Sequence, residues 1–195
     1  MGKHQTIGFA TMPAQQRIQM QPLYEQIIAE KKRTGNLNNY LLGLMNRIDL
    51  IQRPPLACKA GCHHCCHQQV TISEAESSLI FRHNYNYKLI ADHKSTLLHQ
   101  KKYKCFDYHY ADEYSRCIFL NHYYQCSIYP IRPLVCHSCA VPAEGNPELC
   151  KVNGSPQIYS IHYEIETIIS AFWHGESVKP LPVHMLNELN RLERK

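Results

Sequence analysis

A chain of 195 residues with 21 Lys and Arg against 16 Asp and Glu, and so +5 with histidine neutral, has the length of one ordinary domain and can bury a core. At 44% hydrophobic and 19% charged it is neither a disordered tail nor a low-complexity linker, and 8 Gly with 11 Pro exclude a collagen-like repeat. The modest charge is not the footprint of a dedicated nucleic-acid binder; the unusual counts are 10 Cys and 13 His.

Residues 1–17 contain no apolar run that could act as a signal-peptide core. Nor does any stretch approach the roughly 18 apolar residues that span a bilayer. The expectation is a cytoplasmic protein without a membrane segment. In that compartment thiols stay reduced, so clustered cysteines serve metals or redox chemistry rather than structural bridges.

Along the chain, Gln15 to Lys32 reads as a helix in which Pro22 is tolerable only near the start. Leu37, Tyr40, Leu41, Leu44, Ile48 and Ile51 recur three or four apart, a helical stripe that Gly35 and Asn36 would open. After Arg53-Pro54-Pro55 the pattern is irregular. Ser73 and Glu76 have capping-box spacing and predict a helix start. That helix could run towards Leu98 through Leu79, Ile80, Leu89, Ile90 and Leu97, with a weak point at Asn84 to Tyr87. Cys117-Ile-Phe-Leu and Cys126-Ser-Ile-Tyr are short β-prone runs on either side of Asn121 to Gln125, and read as a small hairpin. Pro130, Pro133, Pro142 and Pro147 keep the next stretch irregular. Helical periodicity returns from Ile158 to Trp173, ended by Gly175, and from Val183 to Leu192.

The expected fold class is therefore mainly α with a small β-hairpin, its helices flanking an irregular, cysteine-rich, metal-organised centre. One domain, 1–195, would contain a cysteine-cluster core at 56–151 between helical flanks at 1–55 and 152–195. A core with irregular backbone needs something besides secondary structure to fix it, and a bound metal would serve.

Cys58, Cys62, Cys65 and Cys66 place four thiols within nine residues. Cys117, Cys126, Cys136 and Cys150 follow, Cys136 inside Ile128-Tyr-Pro-Ile-Arg-Pro-Leu-Val-Cys136. Gaps of two and three residues let a turn aim successive thiolates at one ion, as in structural zinc sites and iron–sulfur loops. Gly61 sits where a Cβ would hinder that turn. Side chains of adjacent residues tend to diverge, so Cys65 and Cys66 would serve two metals, or one would bind while the other packs. Thiolate softness suits zinc, copper(I) and iron–sulfur centres alike. His63, His64, His67 and His137 are candidate substitutes, more simply read as solvated or hydrogen-bonded residues beside the ligands. Arg132 would donate towards sulfur or hold the turn.

The C-x3-C-x2-C-C run with Gly61, the Cys117–Cys126 pair, Ser127-Ile128-Tyr129, and Arg132-Pro133 before Cys136 together resemble the YkgJ-type cysteine-cluster proteins, a zinc- or iron-chelating family. The resemblance covers roughly 56–151. It implies a metal-binding unit of eight ligands: Cys58, Cys62, Cys65, Cys66, Cys117, Cys126, Cys136 and Cys150. The cofactor would be zinc or an iron–sulfur cluster. Cys105 and Cys139 are additional thiols beyond this set.

The functional expectation is a metal-binding protein used in metal handling, redox sensing or as a folded interaction module. Its partners would be a metal ion and conceivably another protein, not nucleic acid or membrane. The competing class is an enzyme. Cys58-x3-Cys62-x2-Cys65 is also the spacing of radical S-adenosylmethionine enzymes, but helices precede it here and no Gly-Gly-Glu occurs. The cysteine pattern is shared too with flagellin lysine methyltransferase-like proteins, which implies protein N-methylation as the alternative. No glycine-rich strand-to-helix fingerprint accompanies it. The basic and aromatic residues between Arg82 and Lys104 could track single-stranded nucleic acid, though a solvated helix face is the plainer reading.

Overall fold

The computed structural model describes residues 8–52, 63–67, 70–83, 86–103, 116–138 and 162–194. Among them eight helices pack around one continuous apolar cluster. Helix α1 (Ala14–Arg33) starts after Pro13 and keeps Pro22 in its interior. Pro22 lies further in than its lack of an N–H would favour. The helix tolerates it because α1 is fixed by packing along α7 (Tyr163–Trp173) rather than by its own ladder alone. Lys31 secures the pair: its Nζ donates to the carbonyls of Phe172 (2.7 Å) and His174 (3.1 Å), capping the end of α7, and pairs with Glu176 at 2.7 Å.

Helix α2 (Leu37–Leu50) begins as its sequence predicts, with the Asn36 side chain accepting from the Asn39 N–H at 3.0 Å. It buries Leu41, Leu44, Met45 and Ile48, while Leu37, Tyr40 and Ile51 lie at the core's margin. Met45 was absent from the predicted stripe and widens it. The expected run from Ser73 towards Leu98 is divided into α3 (Glu74–Arg82), α4 (Asn86–Asp92) and α5 (Lys94–Tyr103). The first break falls at the predicted weak point. Ile80, Ile90 and Leu97 are buried, whereas Leu98 is exposed. Along this stretch Lys88 and Lys101 face solvent and Lys94 pairs with Glu193, so these cations form a solvated face.

A two-stranded antiparallel sheet joins β1 (Thr71–Ser73) to β2 (Val178–Pro180), with Ile72 opposite Lys179. It pairs segments more than a hundred residues apart. The expected hairpin at 117–129 contains a single bridge, Leu120 with Cys126, instead of strands. Asn121 N donates to Gln125 O at 2.9 Å, and the Asn121 side chain accepts from Tyr123 N and Gln125 N, both at 2.9 Å. That side chain meets the backbone needs of the loop, so no longer ladder is required. A 3-10 turn at Tyr129–Ile131 then leads to α6 (Leu134–Ser138). Helix α7 stops where predicted, before Gly175 at φ +75°. Helix α8 (Leu181–Leu192) closes the core with Leu181, Met185, Leu186 and Leu189.

Glu166, on the buried face of α7, has one carboxylate oxygen without a hydrogen-bond partner among the described residues, and burial pushes its acid up to about 7 from 4.5. The folded state therefore keeps a proton that the unfolded chain releases between those values. Stability falls as pH rises through that window. Glu166→Gln should flatten this limb. The stability difference, variant minus wild type, is expected to grow by on the order of 2–3 kcal/mol between pH 4.5 and 8 in urea titrations.

Candidate metal centre

The centre is assembled from three described segments. The first is a 3-10 turn, His64–His67, that carries Cys65 and Cys66. The second is the loop from Cys117 to Cys126, and the third is α6 with Cys136. A backbone hydrogen bond from Cys117 N to Cys66 O, 2.8 Å, ties the first segment to the second. The five described cysteines are thiols, all half-buried. Cys117 and Cys126 pack against the edge of the apolar core. Cys58, Cys62 and Cys150, and the additional Cys105 and Cys139, lie outside the described residues. Among the described residues, no three His, Cys, Asp or Glu side chains form by themselves a group that could hold a metal ion.

The Cys65 and Cys66 side chains, neighbours in this turn, interact with each other. That contact, then burial, then the charges of Cys65, Cys117 and Cys136 push the Cys66 thiol far up. Burial, followed by Cys65, Cys117 and Cys126, pushes Cys136 well above the ordinary thiol range. The early turn and α6 are thus electrostatically coupled through their sulfurs.

Cys117 and Cys126 share a further feature. Burial raises both, Cys117 to about 12, but each sulfur accepts a backbone N–H from the residue two positions on, Phe119 and Ile128 respectively. Such bonds favour the thiolate, the form that binds metal. Arg132 acts in the same direction on Cys126 and Cys136 through its charge. Its own contacts serve the turn. It donates to Asp49 Oδ1 at 3.1 Å and to Tyr129 O at 3.3 Å, and lies over the Tyr129 ring at 3.9 Å.

His137 is fully buried, with Nδ1 2.8 Å from Asp49 Oδ1 and Nε2 3.2 Å from Arg132 O. Both ring nitrogens are engaged away from the sulfurs. Burial and Arg132 oppose a charge on this ring, and Asp49 favours one. His63 stacks on Tyr124 at 4.2 Å and meets His67 edge-on at 5.7 Å. Tyr124 is the described non-glycine residue held at positive φ, +60°. The side chain of His64 is outside the described residues.

Two carboxylates, one read from the sequence only as a helix cap and the other not singled out, contact the segment that carries Cys136. Glu76 has no exposure and receives four donors: Ser73 N and Ser73 Oγ at 2.8 Å, Trp173 Nε1 at 2.8 Å and Leu134 N at 2.9 Å. It thereby joins α3, the end of α7 and the start of α6. Burial still pushes its acid upward against these donors. Asp49, near the end of α2, is the second. The capping-box spacing flagged Glu76 as a helix cap, but no local signal announced its partners at 134 and 173.

The arrangement defines a class: a mainly helical protein in which cysteines from three described segments lie near enough to raise one another's thiols. Residues 57–151, about half the chain, match the CxxCxxCC family model, described as a putative zinc- or iron-chelating domain, and the chain carries that domain over this segment. The first gap of the motif is three residues here, Cys58 to Cys62. No curated protein and no solved structure gives a significant match. No described helix is long and apolar enough to cross a membrane.

Proposed function

We propose that this is a metal-binding protein in which thiolates of Cys58, Cys62, Cys65, Cys66, Cys117, Cys126, Cys136 and Cys150 hold zinc, or iron as an iron–sulfur cluster. The observation that carries this reading is the match of residues 57–151 to a zinc- or iron-chelating family model, and the backbone amides that favour the thiolate at Cys117 and Cys126 support it. A buried thiol that simply packs as a hydrophobe has no need of a donor aimed at sulfur. A thiolate ligand does, and hydrogen bonds to ligand sulfurs tune bound metals generally. Repulsion among the clustered sulfurs argues the same way, since a cation relieves it and permits their ionisation. A bound ion would also compensate for the scarcity of regular structure between residues 116 and 133. Residues 56–151 would form the metal core of one domain, 1–195, with flanks 1–55 and 152–195. Reduced thiols suit a cytoplasmic setting, and the family description favours metal handling as the use of the centre.

Anaerobic purification with metal and acid-labile sulfide analysis tests this. Stoichiometric zinc in a colourless protein identifies a zinc centre, and brown protein with iron and sulfide identifies a cluster. Protein that carries neither metal, and takes up neither, overturns the proposal.

A further inference from the structure

We propose that Asp49 is a positioning residue for Cys136: a carboxylate on α2, outside the segment that matches the chelating family, fastens α6 through His137 and the turn before it through Arg132, while Glu76 holds its start. This rests on the metal-binding reading above. Helix α6 has five residues, far too few to be stable alone. Its start is held by Glu76 through Leu134 N, and Cys136 N donates to Pro133 O at 2.8 Å. Besides the packing of α6, Asp49 acts on both sides of Cys136. Its Oδ1 accepts from Arg132, four residues before Cys136, at 3.1 Å and lies 2.8 Å from Nδ1 of His137, the residue immediately after it. His137 in turn reaches back to Arg132 O at 3.2 Å, closing a ring of contacts around the cysteine. The ring spans 83 and 88 residues of sequence and has one carboxylate at its hub.

The two anchors differ in a way that an experiment can use. Glu76 is wholly buried, so its loss affects the entire fold. The Asp49 side chain is 46% exposed, so Asp49→Asn should leave the fold intact while loosening the end of α6. The test is pulsed alkylation of the full chain as purified, each thiol followed by peptide mass spectrometry. In Asp49→Asn, labelling of Cys136 should speed up about tenfold relative to Cys126, and Asp49→Glu should restore much of the protection. Release of bound zinc to a chromogenic chelator should also be about tenfold faster, the scale at which partners of metal ligands act.

Unchanged labelling of Cys136 overturns the inference. Equal acceleration of Cys136, Cys117 and Cys126 does so too, because it marks general destabilisation rather than positioning. An unchanged rate of zinc release in a zinc-loaded variant likewise counts against it. Wild-type chain that holds no metal defeats the proposed function instead. The labelling contrast between Cys136 and Cys126 still decides the role of Asp49 in that case.

Discussion

Replacing Cys126 by serine is expected to lower the zinc or iron bound per chain and to cut the melting temperature on the order of 10 °C. Serine retains an acceptor for the Ile128 N–H, so the hydrogen bond survives in outline. Its hydroxyl stays protonated near neutral pH and is a poor ligand for zinc or iron, so the coordinate bond does not. Structural zinc supplies about 10–16 kcal/mol in small metal-folded peptides. Losing one of its ligands should cost at least about 3 kcal/mol, among the larger single-residue effects. For a chain of this size each kcal/mol is worth roughly 2–4 °C. Cys62→Ser should behave alike. Elemental analysis beside thermal melts checks both, and full metal content with unchanged melting in either variant removes that cysteine from the ligand set.

Glu76→Ala should destabilise the protein by about 3–5 kcal/mol, because four donors lose their common acceptor inside the core. Ser73 N, Trp173 Nε1 and Leu134 N come from three different elements. Glu76→Gln should cost less, since its carbonyl oxygen can serve part of the set while its NH2 faces donors. Urea unfolding separates the two variants. Metal content should fall with stability in Glu76→Ala, because α6 and Cys136 lose their upper anchor. An alanine variant with wild-type unfolding would mean that the four contacts contribute nothing net.

The two carboxylates show where reading the chain residue by residue succeeds and where it stops. Ser73 and Glu76 announce a helix start because a capping box is a four-residue affair, governed by backbone donors within reach. The same Glu76 side chain also serves Leu134 and Trp173, 58 and 97 residues away, and no periodicity encodes that. Asp49 reads in sequence as an ordinary polar residue near a helix end. Its meaning depends on Arg132 and His137 arriving beside it.

The pairing of β1 with β2 escaped prediction for a related reason. Three-residue strands have too little alternation to register, and their partner lies across the fold. The loop at 117–126 reads as a hairpin from its β-prone ends, but Asn121 satisfies the tip locally, so pairing stops after one bridge.

Sequence alone determined the mainly helical class, the start of α2 and α3, the end of α7, and the cysteine spacing that signals a metal-binding unit. These follow from interactions within about a turn of the chain: side-chain periodicity, caps, proline and glycine geometry, and thiols spaced for one ion. Tertiary structure decided that Arg132 and His137 reach Asp49, and that Leu134 and Trp173 reach Glu76. Those outcomes depend on burial, which raises the cost of every unpaired polar group and so selects partners from anywhere in the chain.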